Sequence, residues 1–80
     1  MTTYVEIDPN VRVRDNWTFT REEWVLGPIT VGANVRVVES EIGLIGNGRI
    51  EEYDEEQGLV YLSVDWESLR LGSPFNEENK

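Results

Sequence analysis

From Glu51 to Glu56 five of six side chains are carboxylates, with Tyr53 alone among them. Such a run can attract an Arg- or Lys-rich partner, ligate a hard cation, or keep a hairpin tip solvated and unpaired. It lacks the alternating Asp/Asn positions and the glycine of a calcium-binding loop, so a metal site is not expected. Acid-base work would fall to paired carboxylates such as Asp65 and Glu67, which read instead as residues of the turn after the core strand. Nothing supports them: the chain has no His and no Cys, and its single lysine is Lys80. Ser40, Ser63, Ser68 and Ser73 have no base beside them in sequence to activate a hydroxyl. No catalytic residue and no cofactor is therefore expected, and the chain reads as a binding protein rather than an enzyme.

Aromatic side chains supply the other chemistry. Trp17, Phe19 and Trp24 crowd an otherwise polar stretch. Trp17 and Phe19 share a face across Thr18, and the reading taken is that they cap one end of a small core; an exposed one would be the best anchor for a partner. The glycines of Gly43-Leu44-Ile45-Gly46-Asn47-Gly48 precede a strand rather than a helix and lack a following Lys-Ser/Thr. They therefore read as a loop needing positive φ and not as a phosphate cradle. Asn16-Trp17-Thr18 is a glycosylation sequon, which has no consequence without export.

Eighty residues carry 16 acids against 7 bases, a formal net charge of −9. That field repels phosphate backbones and anionic lipid and favours a partner with a basic surface. A chain of this length buries only about 60% of the surface its unfolded form exposes, so it builds one core. Without Cys or His it has neither disulfide nor zinc to staple it. The absence of Cys fits a reducing compartment, and Met1 to Glu6 has neither a basic nor an apolar leader segment, so a cytoplasmic location is expected. No apolar run approaches the roughly 18 residues that cross a bilayer. Six of the seven cations are Arg, a bias that together with the short single-domain layout suits a phage or mobile-element protein.

The elements that must position these groups read as β throughout. Thr3 to Ile7 alternates and is stopped by Asp8-Pro9-Asn10; Val11 to Arg14 alternates again, and a hairpin over residues 3 to 19 is the simplest pairing. Thr20-Arg21-Glu22-Glu23 has capping-box spacing and predicts one helical turn, ended at Gly27-Pro28. Ile29 and Val31 continue as strand. Val35 and Val37 then face inward, with Arg36 and Val38 on the other face. Glu39 to Gly48 reads as a loop, with Asn47-Gly48 supplying positive φ before the strand Arg49 to Tyr53, whose Ile50 points inward. Asp54 to Gly58 is a polar turn. Leu59 to Trp66 is the strongest strand, with Val60, Leu62, Val64 and Trp66 on one face. A tight turn over Asp65 to Leu69 and a short strand Leu69 to Leu71 complete a single domain over residues 1 to 72, and residues 73 to 80 read as a frayed polar tail.

The segment Val31-Gly32-Ala33-Asn34-Val35-Arg36-Val37-Val38, then Gly43 to Asp54, then Gly58-Leu59-Val60-Tyr61-Leu62-Ser63-Val64, resembles the KOW and Tudor-like SH3 barrels. The likeness covers residues 31 to 71 and is carried by glycine positions and alternating valines. It implies an all-β, SH3-like small barrel, here with an extra N-terminal hairpin and at most one or two short helical turns. Where many such domains bring basic residues to RNA, the matching hairpin here is acidic. A Tudor-type cage would need Tyr53, Tyr61, Trp66 and Trp17 to converge, which the spacing does not show.

The expected function is a small acidic protein-interaction module, in keeping with a phage protein that binds a host protein. Glu51, Glu52, Tyr53, Asp54, Glu55, Glu56, Trp17 and Trp24 are its candidate contacts. The alternatives are a KOW-like nucleic-acid-associated domain using Arg12, Arg14, Arg36 and Arg49, a self-assembling homo-oligomeric subunit, and a mimic of DNA.

Overall fold

The structure is a computed structural model that describes residues 2–72; the expected tail, residues 73–80, lies outside the described residues. Six strands form one curled antiparallel-dominated sheet, a half-barrel. They are β1 (Tyr4–Glu6), β2 (Trp17–Arg21), β3 (Val25–Leu26), β4 (Asn34–Glu39), β5 (Leu44–Asp54) and β6 (Leu59–Leu71), and a 3-10 turn, Glu22–Trp24, joins β2 to β3. The spatial order is β2-β6-β5-β4-β1-β3. This is the small all-β barrel that alternation and turn chemistry predict.

Period-two patterning explains the core. Val35 and Val37 of β4, Ile50 of β5, and Val60, Leu62 and Val64 of β6 fill the inner face with Val5 and Ile7, and Trp66, Leu69 and Tyr53 pack against them. Opposite faces of the same strands carry Arg36, Arg49, Tyr61 and Ser63, as alternation requires. The polar turn at residues 55–58 closes the β5–β6 hairpin on Gly58, whose φ of +68° a side chain would resist.

The N-terminal pairing differs from expectation. β1 does not form a hairpin with the residues up to 19. It lies parallel to β4, with Val5 opposite Val37, and antiparallel to β3. Val5 is fully buried there, a burial that a two-stranded ribbon on the surface could not provide. The hairpin that does form is a tight turn pairing Arg14 with Trp17, from which β2 runs antiparallel along β6.

β2 also faces the other way from its reading. Thr18 is fully buried, opposite Leu62, whereas Trp17 is half-buried and Phe19 is 37% exposed. The register with β6 decides this. Even-numbered β2 residues stand opposite the even-numbered inward side chains of β6, so the aromatics turn out and the threonines turn in. The capping box does not form: Thr20 is paired to Val60 in β2, and the 3-10 turn starts after Arg21 without a side-chain cap. Ile29 and Val31 lie outside any strand, because Gly27 (φ +120°) and Gly32 (φ +90°) turn the chain on either side.

Nor is Glu39 to Gly48 one loop. The turn occupies residues 40–43, and β5 already begins at Leu44. Asn47 and Gly48 sit mid-strand, and positive φ belongs to Gly43 instead. What Gly48 supplies is room: a Cβ there would lie 2.8 Å from the Ser63 carbonyl oxygen and 3.0 Å from Val37 Cγ1. Gly46 is as crowded, with a Cβ there 2.8 Å from Ser68 Oγ and 2.9 Å from Leu69 Cδ2. At Gly46, β6 bulges so that residues 66–69 face one β5 position; the Asn47 N–H donates to Ser68 Oγ, and Ser68 Oγ donates to the Asp65 carbonyl. The turn expected over Asp65 to Leu69 is this bulge.

The Thr18 hydroxyl is buried without a hydrogen-bond partner. A desolvated, unpaired hydroxyl is destabilising. Thr18→Val, nearly the same shape, is expected to raise stability by about 1 kcal/mol and the Tm by roughly 4–8 °C in a domain this size. Gly48→Ala is expected to lower stability by about 1–3 kcal/mol through forced displacement of backbone. Thermal and urea unfolding followed by circular dichroism checks both; an unchanged midpoint for either variant contradicts its packing argument.

Candidate functional site

A half-barrel leaves a seam. β2 ends the sheet, and its outer edge faces the chain that leaves β1 and the end of β4. Between them lies a groove of about 440 Å³. Phe19 and Thr20 of β2 and Trp24 of the 3-10 turn line one side, and Glu6, Ile7, Asp8 and Asn10 with Glu39 and Glu41 line the other. Trp24 is 53% exposed, held out by a turn too short to bury it.

Three of the four carboxylates, Glu6, Asp8 and Glu39, are fixed by hydrogen bonds. Glu6, at the end of β1, accepts hydrogen bonds from Ser40 through both the backbone N–H (2.9 Å) and the hydroxyl (2.6 Å). Glu39, almost fully buried, accepts from the Glu41 and Ile42 N–H groups and so closes the β4–β5 turn. Asp8 accepts the Asn10 N–H in the turn after β1. Each of the three is oriented by neutral donors, which leaves its charge uncompensated by these contacts. Among the described residues no three such groups converge closely enough to hold a metal ion. The acids ring the groove and do not form a ligand cluster.

None of these acids stood out in sequence. Glu6 and Ser40 are 34 residues apart, and only the parallel pairing of β1 with β4 brings them together. No local signal carries that pairing.

The acidic run is split: Glu52, Tyr53 and Asp54 border one groove, and Glu51, Glu55 and Glu56 do not line it. Glu51 occupies a bulge and accepts from Ser63 Oγ at 2.7 Å. Glu52 faces outward opposite Tyr61 and borders a second groove, of about 450 Å³, with Tyr53, Asp54, Tyr61, Val13 and Arg14. Tyr53 turns inward against the core, and its hydroxyl donates to Glu22 Oε1 at 2.7 Å. Asp54 accepts the Gln57 N–H, while Glu55 and Glu56 are exposed in the turn. Trp17 and Trp24 border no common groove among those described. Trp17 has the Arg14 guanidinium 4.5 Å from its ring centre.

The arginines are spread as well. Arg12 lies 4.1 Å from the centre of the Trp66 ring, and Arg36 donates to Asn47 Oδ1. Arg49 shares a groove with Asn16, Trp66, Asp65 and Glu67, where the charges are mixed. The four aromatics a cage would need are also divided. Tyr53 and Tyr61 border one groove, Trp66 lines another and Trp17 lines neither, and the Tyr61 ring lies 6.0 Å from that of Phe19.

No family model matches the chain, and no curated protein or solved structure matches it. The likeness to SH3-type barrels is therefore one of coarse architecture. No helix among the described residues is long and apolar enough to cross a membrane.

Tyr53 reports directly on the hairpin's electrostatics. Its hydrogen bond to Glu22, then burial, then the charges of Glu22 and Glu55 hold its pKa above the ordinary tyrosine value of 10.0. Raising the folded-state pKa means the protonated tyrosine stabilises the fold. That contribution is intact below about pH 10 and is lost as the pH rises through the higher folded value. Glu22→Gln is expected to bring the Tyr53 titration, followed by ultraviolet difference spectra or NMR, back toward 10; an unchanged titration rules out Glu22 as the main cause.

Proposed function

We propose that this chain is a small acidic protein-interaction module that takes a Lys- or Arg-rich segment of a partner protein into the seam groove. The carrying observation is the groove's lining: two exposed aromatics, Phe19 and Trp24, beside four carboxylates, Glu6, Asp8, Glu39 and Glu41, with no Lys or Arg among the described lining residues. An aromatic face and a fixed carboxylate together suit a cationic side chain, the ring accepting its alkyl stem and its charge. The net charge of −9 adds long-range attraction for a basic surface and opposes phosphate backbones. In this reading Glu55 and Glu56 at the hairpin tip contribute to the field but not to the contact.

The test is binding of a capped lysine-rich peptide followed by tryptophan fluorescence over a salt series. Trp24→Ala is expected to weaken binding by about thirtyfold, the loss of an interface anchor. Glu41→Lys is expected to weaken it about tenfold and to flatten the salt dependence. Glu55→Gln with Glu56→Gln should leave affinity within about twofold, because the charges lie outside the groove. Loss of binding confined to the hairpin-tip variant would instead transfer the site to the turn.

A further inference from the structure

β2 is an edge strand with a readable hydrogen-bonding parity. The Val64 N–H donates to the Asn16 carbonyl and the Glu22 N–H to the Gly58 carbonyl, one pair at each end of the β2–β6 ladder. In an antiparallel ladder the bonded pairs recur at every second residue, so Thr18 and Thr20 bond to β6 while Trp17, Phe19 and Arg21 point their backbone groups outward. Trp17 is taken: its N–H donates to the Arg14 carbonyl at 2.7 Å, and its carbonyl accepts from Val13 at 3.0 Å. Beyond Val13 the arm leaves β2, since the Val11 N–H turns back to Asp8. Among the described residues no backbone group pairs with the Phe19 N–H, the Phe19 carbonyl or the Arg21 N–H. These groups lie along the stretch of β2 that borders the acidic groove.

An unpaired strand edge is a template for another strand. Here the chain has already used that edge once, for residues 13 and 14, and has then left it open where the groove begins. We infer that the partner's basic segment binds as an added β-strand, extending the sheet at β2 through the backbone of Phe19 and Arg21. This rests on the groove reading above and names the form its occupant takes. Strand addition supplies affinity through the main chain. Its side chains toward the groove then meet Phe19, Trp24 and the carboxylates, while alternate ones lie on the sheet face that carries Tyr61. The occupant is a basic partner and not a second copy of this chain, because two edges each carrying the same acidic groove would repel.

The probe is a capped peptide of alternating lysine and valine, and the readout is residue-resolved amide hydrogen exchange by NMR. In the free protein the Phe19 and Arg21 amides are expected to exchange at least about tenfold faster than those of Thr18 and Thr20, which are held by β6. With the peptide bound, the Phe19 and Arg21 amides slow by at least about tenfold. The same peptide N-methylated at every residue keeps its charges but loses its donors, and is expected to bind about tenfold more weakly or worse. If the peptide perturbs Trp24 and Glu41 while Phe19 and Arg21 keep exchanging freely, the groove reading stands and strand addition is overturned. No perturbation at any residue overturns both. Protection of the two amides that rises with protein concentration alone assigns the edge to self-pairing and overturns the inference.

Discussion

β6 is hydrogen-bonded along both of its edges, to β5 on one side and β2 on the other, while Val60, Leu62 and Val64 project from it into the core with almost no solvent exposure. In a chain without disulfide or histidine this double pairing is what the remaining strands are built against. Its register settles which side chains of β2 and β5 face in. Its bulge opposite Gly46 lets one strand serve both the hairpin with β5 and the return toward Leu44. Removing that register would do more than lose ladder bonds: a one-residue slip would exchange the buried and exposed faces of both neighbouring strands.

The curl that follows from this arrangement also limits it. Glycines at positions 46 and 48 let β5 bend around the core, since a side chain at either would collide with β6. Yet β1 and β3 are only three and two residues long, and the sheet stops short of closing on β2. A closed barrel has no edge, whereas a half-barrel has an edge with unpaired backbone groups. That single shortfall creates both the groove and the open stretch at Phe19 and Arg21. The acids around it act locally as caps of the turns at residues 8–10 and 39–43.

The aromatic residues show how an outward-facing assignment changes chemistry. Had Trp17 and Phe19 capped the core, they would have been structural. Turned outward by the β6 register, Trp17 carries Arg14 on its face and Phe19 packs beside Tyr61. Thr18 takes the inward position with an unpaired hydroxyl. The inner row is thus less well matched than it would be with an apolar residue there.

Much of the fold was legible from residue order alone. The alternation in Val35 to Val38 and Leu59 to Val64, the inward Ile50, the polar turn ending at Gly58 and the all-β class follow from period-two burial, which is a local property of each strand. The glycine positions were visible too, although their reason was not. Gly48 is needed because Ser63 and Val37 approach it, and a close approach is invisible in a sequence that shows only the neighbours along the chain. The acidic character of the surface was equally plain from composition. What tertiary structure alone decided is which acids act together. Of the run Glu51 to Glu56 a bulge and a turn leave only Glu52, Tyr53 and Asp54 on a common groove, whereas Glu6 and Asp8 are distant in sequence from Glu39 and Glu41 and line one groove because β1 lies parallel to β4. Parallel pairing joins segments through a long crossover with no hairpin turn to announce it, so neither the seam nor its lining leaves a mark on the sequence.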